Sequence, residues 1–335
     1  MKKVIALLLA LVIATSLLAG CGRQNDPTGD TKTDQLSIVT TIFPEYDWVR
    51  EILGDKADSA ELTMLLDNGV DLHSYQPTAD DIIKISNCDL FIYVGGESDE
   101  WVDDALKEAT NKNMKDINLL DVLGNFVKTE ETVEGMQEEE HDHEDTDEHD
   151  DAEDHEEEKD EHVWLSLKNA ETLCGAIADA LAQIDPDNKD TYAANAAAYI
   201  QKLSALDGEY QKAVDAASAK TVLFGDRFPF RYLVDDYGLS YYAAFVGCSA
   251  ETEASFETIS FLAKKVDELK LPCVLTIEGA QHKIAETIVQ NTAEKNQKVL
   301  TMDSMQSTTS KDVANGVTYL SIMENNLSVL KEALA

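Results

Sequence analysis

The chain has 335 residues, 44% of them hydrophobic, with 65 acidic against 27 basic side chains and a formal net charge of −38. That length accommodates two domains with cores of their own, and the ordinary apolar content excludes wholesale disorder. Nucleic acid is excluded as a partner, because phosphate contacts need clustered Lys and Arg, whereas so acidic a surface suits cations.

Lys2 and Lys3 precede an apolar run over residues 4–14, and then comes Leu18-Ala19-Gly20-Cys21. A basic start, a short apolar segment and small residues before a cut describe a secretory signal, too short for a confident membrane span. The LAGC ending resembles the lipobox of bacterial lipoproteins, which implies that residues 1–20 are removed and Cys21 carries the lipid. Two or more acyl chains anchor stably. Residues 21–35, rich in Gly, Asp, Thr and Asn, read as a flexible tether. Cys88, Cys174, Cys248 and Cys273 show no CxxC spacing and stand in apolar surroundings. They read as buried small hydrophobes rather than as ligands or disulfide partners.

The next stretch alternates. Residues 36–41 read as a strand and 45–53 as a helix with Trp48, Val49 and Ile52 on one face. A strand at 62–66 leads into the loop carrying His73, and Thr78 with Asp81 can cap the following helix. Strands at 88–94 and 117–120 flank a helix at 101–109. Such alternation predicts βαβ units with a parallel sheet. Between Gln137 and Glu161 stand 17 acidic residues against one lysine, a local −16 that leaves −22 of the −38 for the rest of the chain. Charge runs are usually solvated linkers. This one also holds His141, His143, His149 and His155, four of only seven histidines, and His-rich tracts collect metal, so it reads as an auxiliary metal loop. His162 stands where the tract gives way to folded sequence.

A helix at 167–184 follows, and Pro186 opens a long one to about residue 217. Its stripe of Tyr192, Ala196, Tyr199, Leu203, Leu206, Tyr210 and Val214 has helical spacing. At roughly 45 Å it is longer than one sheet needs and reads as a strut. Strands at 221–224, 239–245, 274–277 and 299–302 then alternate with helices at 230–237, 256–269 and 284–294, before a closing helix at 312–334. The expected fold is α/β, two lobes with parallel-type sheets flanked by helices. The N-terminal lobe spans 36–185, the rigid linking helix 186–218 and the C-terminal lobe 219–335.

In open α/β sheets, ligands bind beyond the carboxyl ends of the strands. His73, Asp226, Glu278 and Asp303 lie just past those ends, and His162 re-enters the fold nearby. Two imidazoles and two or three carboxylates suit a divalent metal. Each has an ordinary role too: Asp226 and Asp303 as caps, Glu278 as a partner of Lys283, His73 as a surface loop residue. No HExxH helix or comparable zinc-peptidase spacing occurs, which argues against a zinc hydrolase.

The segments TIFPEYDWVREILGD, HSYQPTADDI, HVWLSLKNAETLCGAIADALAQIDPDNKDTYAANAAAYIQKL and IEGAQHKIAETI…VLTMDSM together resemble the zinc/manganese-type solute-binding lipoproteins of bacterial ABC importers. The resemblance implies two α/β lobes bridged by a long helix, with the metal between them. It implies His73 and His162 as ligands from the first lobe and Asp303 as the aspartate after the last core strand. A His-rich acidic loop before the second ligand motif is typical of zinc-type members. Zn²⁺ as transported ligand, an ABC permease as partner and the extracytoplasmic face of the cell membrane as location follow from the same resemblance.

One departure stands out. Where the family puts a His or Glu in the second lobe, this chain reads Gly225-Asp226-Arg227-Phe228-Pro229-Phe230. By strict offset Arg227 falls on the ligand position, and a guanidinium cannot coordinate a cation. Either Asp226 takes over through a one-residue shift, with Glu278 as the alternative, or water completes three protein ligands; Arg227 would then orient a carboxylate from outside. Two imidazoles with two carboxylates lean toward Mn²⁺ by ligand type, while the His-bearing loop and the low place of Mn²⁺ in the affinity order favour Zn²⁺. A surface adhesin or a passive metal buffer is the remaining alternative.

Overall fold

Short runs of branched and aromatic residues build two parallel sheets. The computed structural model describes residues 35–137, 158–249, 253–279 and 282–335; Cys21, His141, His143, His149 and His155 lie outside the described residues. The first sheet is assembled from β1 (Ser37–Thr40), α1 (Phe43–Leu53), β2 (Glu61–Met64), α2 (Ala79–Asn87), β3 (Leu90–Tyr93), α3 (Val102–Lys107), β4 (Lys115–Asn118) and α4 (Leu119–Leu123). Its strand order is β2-β1-β3-β4, and every pair is parallel. Two long helices follow, α5 (Leu167–Ile184) and α6 (Lys189–Ala216). The second sheet takes β5 (Thr221–Phe228), α7 (Arg231–Tyr237), β6 (Ser240–Val246), α8 (Phe256–Leu269), β7 (Cys273–Thr276), α9 (Lys283–Asn291) and β8 (Lys298–Thr301). It repeats the same order, β6-β5-β7-β8, again all parallel. The chain closes with α10 (Ser310–Ala314) and α11 (Tyr319–Ala333). In both sheets the order reverses beside the first strand, which opens a crevice at the carboxyl ends.

Local chemistry explains the elements. β3 and β7 are buried throughout, the signature of strands covered on both faces. At the start of α2 the Thr78 hydroxyl accepts the Asp81 N–H, and the Asp81 carboxylate accepts the Thr78 N–H, the reciprocal cap expected from the sequence. The 28-residue α6 buries Tyr192, Ala196, Tyr199, Leu203, Leu206, Tyr210 and Val214, the same stripe read from the spacing. It lies along α5 and also meets α1 and α11.

Two elements differ from expectation. The closing helix is broken in two, because Gly316 at φ +93° ends α10 and the Thr318 hydroxyl then accepts the Ser321 N–H to start α11. β5 also runs four residues further than expected, across a register shift between Phe224 and Arg227. Asp226 and Arg227 therefore sit within a bulged strand rather than beyond its end, and a bulge re-aims the side chains around it.

One apolar cluster runs through both sheets, joining Ile38, Trp48 and Phe91 to Phe224, Leu275 and Tyr319. A second, with Leu223, Phe245, Leu262, Val274 and Ile288, lies under α8 and α9. The halves are also stitched by hydrogen bonds. Trp164 Nε1 donates to the Ser304 carbonyl at 2.9 Å, the Tyr319 hydroxyl donates to the Trp164 carbonyl at 2.7 Å, and the Tyr319 N–H donates to Asp47 at 2.8 Å. Among the described residues, no helix is long and apolar enough to cross a membrane.

Candidate metal centre

His73 rides on a single 3-10 turn after β2, where Asp71 Oδ1 accepts the His73 backbone N–H at 3.0 Å. His162 precedes a similar turn at Val163–Leu165 and is wholly buried. Asp160 Oδ1 fixes it twice, accepting from the His162 backbone N–H and from its ring Nδ1, both at 2.9 Å. The segment arriving at His162 is itself held. The Asp160 N–H donates to the Lys128 carbonyl, the Glu130 N–H to the Glu158 carbonyl, and the Tyr232 hydroxyl to the Asp160 carbonyl at 2.7 Å.

These turns bring two imidazoles face to face. The Nε2 atoms of His73 and His162 stand 3.2 Å apart, with ring centroids at 5.1 Å and planes tilted by 57°. The Nδ1 of His162 points at a carboxylate, which only accepts, so that nitrogen carries the proton. The Nδ1 of His73 lies 2.8 Å from Ser98 Oγ, a hydroxyl that serves as donor or acceptor, and 3.5 Å from Glu161 Oε2. The His162 Nε2 lone pair therefore faces His73 Nε2 at 3.2 Å, and the two ring nitrogens converge on one space. Two nitrogens about 2.0–2.1 Å from one tetrahedral zinc ion stand about 3.3 Å apart, close to the spacing seen. Burial, reinforced by the adjacent His162, holds the His73 imidazole far below the ordinary histidine range, so it is neutral and able to ligate.

Acidic groups surround the pair. Glu161 Oε1 accepts the Ser98 N–H at 2.9 Å, while Oε2, buried, has no hydrogen-bond partner. Gly96 makes that approach possible, because a Cβ there would stand 2.3 Å from Glu161 Oε1. Burial raises the Glu161 and Glu130 carboxyls above their usual range. A cavity of 230 Å³ reaches the site, lined by His73, Glu97, Ser98, Glu130, Glu158, Lys159, Glu161 and Cys248. Among the described residues, the metal-binding side chains whose ligand atoms converge within 4.8 Å are His73, His162 and Cys248.

The carboxylates singled out in the sequence have other partners. Asp226 Oδ2 accepts from the Thr276 hydroxyl at 2.6 Å and the Ile277 N–H at 3.3 Å, and Oδ1 accepts the Arg227 N–H. Glu278 accepts the Ser304 N–H, the Ser304 hydroxyl and the Gln306 N–H, so it organises the loop after β8. Asp303 Oδ1 accepts the Met305 N–H at 2.7 Å; burial and the adjacent Glu278 push its carboxyl up to about 7. None of the three joins the convergent group of His73, His162 and Cys248. Arg227 points the other way along β5, donating to Asp71 Oδ2 at 2.7 Å and to the Ser249 carbonyl at 3.3 Å. Burial pushes Asp71 up, but Arg227 and His73 outweigh it and hold the carboxyl below its usual range. The sequence reading sets Cys248 among the buried small hydrophobes rather than the ligands, although it follows the end of β6 and so satisfies the strand-end rule applied to the other candidates.

The profile of the family described as zinc-uptake complex component A, periplasmic (ZnuA), matches residues 38–333. The chain belongs to this family. Among curated relatives of this ZnuA-family protein, the zinc-binding lipoprotein AdcA of Streptococcus pneumoniae serotype 4 is 34% identical over 332 residues, covering 99% of this chain and 61% of AdcA. The chain thus spans about three-fifths of the length of that relative. The high-affinity zinc uptake system protein ZnuA of Bacillus subtilis is 31% identical, covering 95% of this chain and 94% of the relative. The crystal structure of the Zn(II)-bound ZnuA-like domain of S. pneumoniae AdcA superposes with a TM-score of 0.68 at 30% identity, covering 90% of this chain and 99% of that one. The metal-dependent lipoprotein YcdH of B. subtilis gives 0.70 at 27% identity, with the same coverage. The expected architecture of two helix-flanked parallel sheets with a long helix is the one these proteins share.

Proposed function

We propose that this chain is an extracytoplasmic receptor, anchored through a lipid on Cys21, that binds Zn²⁺ between its two sheets and delivers it to an ABC permease. The observation that carries the reading is the His73–His162 pair, a half-buried and a fully buried imidazole whose Nε2 atoms stand 3.2 Å apart. Asp160 holds the His162 ring in the ligating tautomer, and Ser98 steadies the His73 ring through Nδ1, so little movement of either ring is needed on binding. The acidic cavity draws dications toward the site. Asp303, whose raised carboxyl a cation would ionise, is the carboxylate on the second sheet's side that we assign as a further ligand. Asp226 and Glu278 serve the loops around it.

The test is metal content of protein purified without added metal, followed by competition between Zn²⁺ and Mn²⁺ in a variant lacking residues 138–157. One tightly held zinc per chain, retained against excess Mn²⁺, is expected. Loss of all tight binding with those residues would make the chain a buffer, and preference for Mn²⁺ would overturn the choice of metal.

A further inference from the structure

We propose that Cys248 is a metal ligand, its sulfur joining His73 and His162 in a set of two nitrogens and one thiolate. The inference rests on the zinc-receptor reading above and specifies its third ligand. The three ligand atoms already lie within 4.8 Å of one another. Around one tetrahedral zinc, with Zn–S about 2.3 Å, sulfur and nitrogen stand about 3.6 Å apart, so closure takes roughly an ångström of loop movement. Cys88, Cys174 and Cys273 are buried in the apolar interior, whereas Cys248 is half-buried and lines the cavity that reaches His73.

The backbone brings Cys248 there by specific means. Gly247 passes so close to His162 that a Cβ would stand 3.0 Å from its Cε1, 3.1 Å from its Nδ1 and 3.0 Å from the Phe228 carbonyl. A side chain at position 247 would press the end of β6 away from that ring by a few tenths of an ångström. The loop is tied on both sides: the Cys248 N–H donates to Glu130 Oε1 at 3.0 Å, next to the segment carrying His162. On the other side Arg227 donates to the Ser249 carbonyl and to Asp71, which caps the turn carrying His73. Arg227 is thus a positioning residue that couples the cysteine loop to the first histidine turn.

A thiolate would also do two things that Asp226 and Glu278 do not. It supplies charge at a place where Asp226 and Glu278 are committed to backbone amides. Sulfur further favours zinc over manganese, magnesium and calcium, which prefer oxygen. The thiol gives up one proton to solvent as the metal binds.

The experiment is cobalt substitution of the full chain and of Cys248→Ser, read by absorption spectroscopy, with zinc affinity measured by chelator competition. The parent protein is expected to show a sulfur-to-cobalt charge-transfer band in the near ultraviolet, and Cys248→Ser to lose it while keeping the visible d–d bands. Zinc affinity should fall by at least about tenfold in that variant, since losing a ligand costs no less than losing a group that merely orients one. Cobalt bound tightly by the parent without a charge-transfer band would overturn the cysteine and leave the receptor reading standing. Failure of the parent to bind cobalt or zinc at all would overturn the receptor reading itself. Because the parent's spectrum decides, the result does not depend on the variant folding.

Discussion

The two sides of the candidate metal centre use similar residue types for opposite ends. On the first sheet's side, polar groups spend their hydrogen bonds on aiming: Asp160 and Ser98 each engage one ring nitrogen and leave the other bare. On the second sheet's side, Asp226 and Glu278 spend theirs on closing loops, accepting from backbone amides and hydroxyls of Thr276, Ile277, Ser304 and Gln306. A carboxylate near a metal centre is therefore not a ligand by position alone. What separates the two cases is where the lone pairs have already gone.

That contrast can be broken most directly at the imidazoles. Replacing His73 or His162 with Ala should weaken zinc by about 10²–10³-fold, the share of one ligand in a structural zinc site's ~10–16 kcal/mol; isothermal titration or chelator competition measures it. Asp160→Asn keeps the shape of the side chain but removes the charge that aims His162, and about a 10–100-fold loss is expected. Glu278→Gln probes the other side. It should cost about 1.5 kcal/mol of stability in urea denaturation, through weakened charge-assisted hydrogen bonds, while leaving zinc affinity within about threefold. A larger loss of affinity would mean that Glu278 coordinates, and the contrast would fail.

The smallest effect is expected at the seam between the two halves. Burial pushes Asp47 up from 3.8 to about 6 even though it accepts the Tyr319 N–H. Between those values the folded chain holds more protons than the unfolded one, so the stability this group contributes is present below about pH 4 and lost as pH rises through about 6. Asp47→Asn keeps an accepting oxygen without the buried charge. It should raise stability at pH 7 by about 1 kcal/mol and flatten the pH dependence between 4 and 6, as denaturant midpoints across that range would record.

Much of the fold was legible because its signals are local. The alternation of short apolar runs with helical stripes, the Thr78–Asp81 cap and the seven-residue stripe of α6 each depend on neighbours within a few positions. The end of β5 was not legible, since a bulge depends on the strand beside it; the register shift between Phe224 and Arg227 follows from pairing with β6. The histidine pair was accessible through strand-end logic and resemblance. Cys248 was hidden for a different reason. Its apolar neighbours in sequence make it look like core, whereas the packing of Gly247 against His162 places the next residue at the cavity that reaches His73. The partnership of Arg227 with Asp71 spans 156 residues and has no local signature.

Trp164 stands two residues from His162, with ring centroids 5.2 Å apart, and it is one of the stitches between the halves. Its indole is held by Ser304, its carbonyl by Tyr319, and the Tyr319 ring packs edge-on against Trp48 at 5.2 Å. Separating the two sheets like a clamshell would tear this core, not merely wet a cleft. Were the chain to release an ion as proposed, the turns and loops that carry His73 and Cys248 would be the parts left free to move. A docking partner that grips them would act as a key, with the rest of the molecule serving as the lock's fixed body.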